Sequence, residues 1–336
     1  MLSLAFMLVA CHKSPELVTL QGKTMGTTYS VKYIDNGELE LSSTEVHEQI
    51  ESLLRDVNSK MSTYIATSEL SLFNQNTKTN TPIEISADLA TVLQESIRLN
   101  KLTEGALDVT IGPIVNLWGF GPEKRHSTES MDEHVKKFMQ WVGIEKMKLS
   151  QSGKKFFLEK TIPQLYIDLS AIAKGFGVDK VANYVGSLGV QHYLVEIGGE
   201  IRAKGKNLEG KAWQIAIEKP TFDGSRAISQ IVGLPDLAMA TSGNYRNYFE
   251  ENGQRFSHEI DPTTGYPIQH RLASVTVLAD SAMTADGLAT GLYVLGDKKA
   301  LEVAEKHNLL IYMIMKTDDG FEAIMSSAFE KFLNNQ

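Results

Sequence analysis

The chain has almost no cysteine: among its 336 residues only Cys11 carries a thiol. Residues 12–336 therefore have no disulfide and no thiol chemistry to draw on, even in an oxidising compartment. A basic block is also missing, and the formal net charge is −8. That balance argues against nucleic acid as a partner. It also makes an anionic ligand awkward unless a local cation, such as a bound divalent metal, offsets the charge. No apolar stretch after Ser14 reaches the length of a membrane span, so everything beyond it reads as soluble. Internal repeats, low-complexity segments and a Walker-type phosphate loop are all absent. His47-Glu48 fails the zinc-protease pattern because position 51 is glutamate.

What is present is an ordinary globular composition, 42% hydrophobic and 22% charged, with ample material for a core. Ahead of it stands Leu2-Ser-Leu-Ala-Phe-Met-Leu-Val-Ala10, an apolar run too short to span a bilayer. The run resembles a secretory signal, and Leu8-Val-Ala-Cys11 resembles a bacterial lipobox. Cys11 is accordingly expected to carry lipid, with residues 1–19 serving as lipoprotein signal and tether and residues 20–336 as one domain. The usual basic segment before the apolar run is missing, which points to an earlier start or a trimmed chain. The plainer alternative is a signal peptide with an incidental cysteine.

Strands are expected at residues 29–34, 155–158, 164–168, 191–197, 213–218, 228–232 and 272–278. Val46, Ile50, Leu53, Leu54 and Val57 recur at helical spacing, and further helices are expected near residues 87–100, 131–142 and 298–306. Hairpins, separate helices and late strands favour an α+β fold, with central sheets and flanking helices, over a regular doubly wound sheet.

Three segments carry possible chemistry. The run Ser281-Ala-Met-Thr-Ala-Asp286-Gly-Leu-Ala-Thr290 reads as a helix start. Thr284 as N-cap would put Asp286 in the first turn, and Thr290, four residues on, shares its face. A carboxylate and a hydroxyl are hard oxygen ligands that suit Mg²⁺; the plain alternative is a capped core helix. Asp168-Leu-Ser-Ala171-Ile-Ala-Lys174-Gly175 leaves an expected strand and enters a helix. Its small residues admit a close approach to the backbone, where Lys174 could meet a phosphate and Ala171 a metal or ligand. Gly175 and Gly177 lack the third glycine of a dinucleotide fingerprint, and a strand-to-helix turn with a solvated lysine remains open. In Arg255-Phe-Ser-His258-Glu-Ile260-Asp261-Pro, strand alternation would put Phe256, His258 and Ile260 on one face. His258 is then either a proton carrier or a hydrogen-bonded core histidine.

Taken in order, Thr24-Met25-Gly26-Thr27, Ser62-Thr63-Tyr64, residues 105–110, residues 168–175, Thr241-Ser242-Gly243-Asn244-Tyr245, His258 with Asp261-Pro262 and Thr264-Gly265, and residues 281–290 resemble the ApbE family of FAD:protein FMN transferases. The resemblance covers the chain from about residue 20 to its end. One departure is Glu196, ahead of the Gly198-Gly199 pair, where many relatives carry asparagine.

The resemblance implies binding of FAD and Mg²⁺, cleavage of the pyrophosphate, and transfer of FMN to a threonine hydroxyl of an acceptor protein with release of AMP. Acceptors would be flavin-carrying subunits of membrane redox complexes, met on the periplasmic side of a bacterial inner membrane to which the N-terminal lipid anchors the protein. By similarity, Asp286, Thr290 and the Ala171 carbonyl would hold the metal. Met25, Tyr64, Ala106, Leu107, Asp108, Asp168, Lys174, Thr241, Ser242, Gly243 and Ile260 would contact FAD, and His258 would deprotonate the acceptor. A Mg²⁺-dependent FAD pyrophosphatase and a non-catalytic periplasmic flavin-binding lipoprotein are the competing readings.

Overall fold

A computed structural model describes residues 14–122, 130–221, 226–243, 248–251 and 254–336. Cys11 with its lipobox, and Asn244 and Tyr245, lie outside the described residues.

The frame is an eight-stranded antiparallel sheet. Its strands, from one edge to the other, are Glu16–Thr24, Thr27–Asp35, Tyr193–Ile197, Glu200–Lys204, Ala238–Gly243, Leu272–Ala279, Leu310–Lys316 and Phe321–Met325. Two helices, Ala173–Ser187 and Ala282–Leu295, pack on one face of its middle strands. Side-chain alternation assigns the two faces. Ala238 joins a core with Val178, Val181 and Ala182 of the first helix. Its neighbour Met239 joins the opposite core, built with Trp213, Val232 and Phe329. A third and larger core gathers the Ala87–Leu102 helix, the small sheet of Ile83–Ile85, Met147–Ser152 and Lys155–Lys160, and the inner side of Ala282–Leu295. This is the α+β arrangement expected from the sequence.

The helical periodicity is physically simple. Val46, Ile50, Leu54, Val57 and Met61 are the buried positions of the helix Ser43–Met61, three or four residues apart. A capping box closes its start: Ser42 Oγ accepts from the Glu45 N–H, and the Glu45 carboxylate accepts from the Ser42 N–H. Ser86 caps Ala87–Leu102 as expected, accepting from the Leu89 N–H. No helix among the described residues is long and apolar enough to cross a membrane.

The structure differs from expectation at several places. The sheet begins at Glu16, inside the stretch read as a tether, because Val18 and Leu20 alternate inward against the Ser43–Met61 side of the core. Residues 164–168 pair with no strand. Side chains and loops hold that segment instead. The Asn74 amide donates to the Ile167 carbonyl and accepts from its N–H, both at 2.9 Å. The Asp168 N–H donates to the Val109 carbonyl at 2.8 Å. The helix expected over residues 131–142 is α-helical only across Met131–Phe138 and then tightens into a 3₁₀ turn.

Candidate active site

Where the two central helices start beside the middle strands, a cavity of about 480 Å³ opens. Ala106, Leu107, Asp108, Asp168, Ala171, Lys174, Thr241, Ser242, Gly243, His258, Ile260, Asp286 and Thr290 all line it. Residues spread over almost 200 positions of sequence thus share one wall.

Asp286 sits at its base. The cap of its helix is Ser281, whose Oγ accepts from the Thr284 N–H at 3.1 Å. Thr284 is therefore not the N-cap: it lies inside the helix, and its hydroxyl donates to Glu95. Asp286 consequently belongs to the second turn, and its own helix dipole does not hold it. The neighbouring helix does. The Gly175 N–H, in the first turn of Ala173–Ser187, donates to Asp286 Oδ2 at 2.9 Å. Only glycine fits there, since a Cβ on Gly175 would lie 2.2 Å from the Ala282 carbonyl oxygen. Oδ1 has one long contact, 3.5 Å to Lys174 Nζ. Thr290, one turn on and also buried, places its hydroxyl 3.1 Å from Ser242 Oγ. The Thr241 hydroxyl shares a hydrogen bond with the Thr276 hydroxyl on the neighbouring strand, at 2.8 Å.

Lys174 is not the solvated lysine of the plainer reading. Its Nζ lies 3.0 Å from Glu200 Oε1 as well as 3.5 Å from Asp286 Oδ1. Burial alone would lower its pKa, but the two carboxylates outweigh that and hold the ammonium above its ordinary value. Burial raises the Asp286 carboxyl, with Lys174 opposing. The same burial pushes Glu200 up to about 7, again against the pull of Lys174.

Two short turns form the other wall and repeat one pattern. Asp168 Oδ1 accepts from the N–H and hydroxyl of Ser170, and Asp108 Oδ1 accepts from the N–H and hydroxyl of Thr110. The Asp168–Val109 backbone bond ties the turns together. Burial raises the Asp108 carboxyl, opposed by the Thr110 hydrogen bonds.

His258 departs from the expected strand face. The strand Gln254–Ser257 ends before it, and His258 occupies a bend between buried Ser257 and buried Ile260. The bend brings its ring to the cavity, edge-on to Phe120 at 6.4 Å, with Nε2 3.3 Å from Glu259 Oε1. Met25 and Tyr64 do not line the cavity. Met25 occupies the turn between the first two strands with φ of 49°, packed over Gly177. Tyr64 is exposed at the rim, its hydroxyl donating to the carbonyl of Phe120, a lining residue.

Glu200 is the functional candidate that sequence reasoning missed. It is 5% exposed, faces the cavity, and its Oε2 has no hydrogen-bond partner among the described residues. A signal for it existed: Gly198 and Gly199 both have positive φ, 62° and 106°, as the tip of a tight hairpin requires. That turn delivers the next side chain back to the helix starts. Glu196, the departure ahead of the pair, accepts from the Gly199 N–H at 2.7 Å and stays outside the cavity.

The model of the ApbE family matches residues 25–314. The chain belongs to the ApbE family. It is 63% identical to the FAD:protein FMN transferase of Haemophilus influenzae over 98% of this chain and 95% of that one. Identity to the protein of the same name from Vibrio cholerae is 53%, over 98% and 96%. Among solved structures, the flavin transferase ApbE from Vibrio cholerae superposes with a TM-score of 0.87 at 52% identity, covering 95% of this chain and 99% of that one. The apo flavinyl transferase ApbE from Pseudomonas stutzeri gives 0.83 at 34% identity, over 95% and 97%. This ApbE-family chain is a transferase.

Proposed function

We propose that the protein transfers FMN from FAD to a threonine hydroxyl of an acceptor protein, with release of AMP and dependence on Mg²⁺. Flavin transfer follows the names of its relatives. The observation that carries the finer reading is Asp286: one carboxylate oxygen is fixed by the Gly175 N–H and the other faces the cavity beside Thr290. The Asp286 carboxylate, the Thr290 hydroxyl and the carbonyl of Ala171, another lining residue, would supply hard oxygens, which fit magnesium. Among the described residues no cluster of three or more His, Cys, Asp or Glu is gathered for a metal, and a site of this composition requires none. When bound, the ion would draw charge from the pyrophosphate and stabilise the leaving phosphate.

The remaining work falls to the chain. Asp108, Asp168, Lys174, Ile260 and the Thr241-Ser242-Gly243 segment line the space for FAD, with Met25 and Tyr64 outside its lining. The acceptor's Oγ attacks the FMN phosphorus, the bond to the AMP phosphate oxygen breaks, and His258 takes the hydroxyl proton. Glu259 Oε1 lies 3.3 Å from the ring nitrogen Nε2. The lipobox at Cys11 supports an anchor on the periplasmic side of the inner membrane, where flavin-carrying subunits of redox complexes would be the acceptors.

The test is one incubation with FAD, Mg²⁺ and an acceptor domain, reading AMP and acceptor mass. AMP with an FMN-sized mass gain is expected. AMP alone would make the protein a pyrophosphatase, and neither product would make it a flavin binder. Asp286→Ala should abolish Mg²⁺-dependent AMP release, and unchanged turnover would remove Asp286 from the metal site. His258→Ala should retain FAD binding and slow transfer; lost binding would make the histidine structural.

A further inference from the structure

Glu200 is left unexplained by that reading. It is a carboxylate lining the cavity, 5% exposed, with one oxygen on Lys174 and the other without a hydrogen-bond partner among the described residues. A buried acceptor without a donor loses hydrogen bonds to water and gains none in return. Its arrangement with Lys174 and Asp286 is uneven. Lys174 Nζ is 3.0 Å from Glu200 Oε1 but 3.5 Å from Asp286 Oδ1. An ammonium has three N–H donors, and on this side only one of its contacts is short. On Asp286, Oδ2 is committed to the Gly175 N–H, so Oδ1 is the oxygen left for a cation. A divalent ion arriving at Oδ1 meets a positive charge already leaning on the same atom.

We propose that Glu200 is the positioning residue that retains Lys174 when a divalent cation takes Asp286 Oδ1. The inference rests on the metal role of Asp286 given above. The ammonium lets go of its long contact with Asp286 and turns the freed N–H to the unpartnered Oε2 of Glu200, a rotation about the lysine side chain with no change in proton count. Two charges settle the matter. With Glu200 present, Lys174 is neutralised by a neighbour that the cation does not use. Without it, the cation and the ammonium compete for one carboxylate in a site where water screens them poorly. Glu200 acts through Lys174 and need touch neither metal nor substrate.

The experiment is calorimetric titration of the FAD-free, full-length protein with MgCl₂, comparing wild type, Glu200→Gln, Glu200→Asp, Lys174→Met and the Lys174→Met/Glu200→Gln double variant, with Asp286→Asn as the site marker. Glutamine keeps the shape and one acceptor but not the charge. Glu200→Gln should weaken Asp286-dependent Mg²⁺ binding by about tenfold, the scale of a single changed charge contact. Glu200→Asp, which keeps the charge, should restore most of it. In the Lys174→Met background the same Glu200→Gln change should cost about threefold or less, because no ammonium remains to be held. An equal loss in both backgrounds would overturn the inference, since Glu200 would then act as general negative charge. So would Mg²⁺ binding that Glu200→Gln leaves unchanged. If wild type shows no Mg²⁺ binding that Asp286→Asn removes, the metal role of Asp286 itself fails, and this inference with it.

Discussion

Lys174 and Lys160 both turn their ammonium groups inward, and their surroundings differ in kind. Lys160, 1% exposed in the strand Lys155–Lys160, donates to the carbonyls of Asn74 and Leu165, each at 3.1 Å. It also sits 4.8 Å over the Phe73 ring. Carbonyl dipoles and a ring face compensate a charge less fully than a carboxylate does, so burial pushes its pKa down to about 8. Burial lowers the Lys174 pKa too, but two carboxylates overcome it. The contrast separates two uses of one residue type. Lys160 has its acceptors supplied by main chain that it pins in place. Lys174 leans on side chains, one of which holds an acceptor in reserve, and it faces a cavity.

Between the two lysines, the larger effect should come from Lys174→Met. Removing a charged contact aimed at a phosphate typically lowers turnover by about 10²–10³-fold, and FAD-dependent AMP release would measure it. Lys160→Met should lower the same rate by less than about tenfold, because Lys160 is remote from the reacting atoms and acts only through the segment it pins. Equal losses would erase the distinction. The second effect belongs to stability. Asn74→Ala removes both hydrogen bonds to Ile167 and should cost about 2 kcal/mol in denaturant unfolding, at about 1 kcal/mol per bond. A cost below about 0.5 kcal/mol would mean that the segment before Asp168 holds itself.

This pair of lysines also marks what the sequence can reveal. The Ser43–Met61 and Ala87–Leu102 helices are legible because periodicity and caps are local, and so is the site's composition, because Asp168, Lys174, His258, Asp286 and Thr290 sit in short motifs of known resemblance. The partners of those residues are not legible. Glu200 reaches Lys174 from a hairpin 26 residues away, and the Asp286 carboxylate is set by a backbone N–H from another helix. Thr284 looks like a cap as much as Ser281 does, and only the actual start of the helix decides between them. Residues 164–168 have the composition of a strand, yet Asn74, 93 positions from Ile167, takes the backbone groups that a neighbouring strand would have used. Long-range hydrogen bonding left no periodic trace in either place.

The last effect is a slope rather than an offset, and it tests whether Lys160 carries its charge at a cost. Its pKa is about 8 in the folded protein against an ordinary 10.5. Below about pH 8 the lysine is protonated in both folded and unfolded chains, and above about 10.5 in neither. Between them the unfolded chain binds more protons, so the contribution of Lys160 to stability rises with pH across that window and is lost as pH falls through 8. Wild type minus Lys160→Met, compared by denaturant unfolding in steps of pH, should therefore move in favour of wild type from pH 8 to 10.5 and stay flat from pH 6 to 7.5. A lysine held as Lys174 is, by carboxylates, would tilt the opposite way above pH 10.5, because its folded-state pKa is raised and its contribution is lost only at higher pH. A flat difference across the whole range would mean that the two carbonyls and the Phe73 ring solvate the ammonium as well as water does, and the two lysines would then differ in partners but not in energetics.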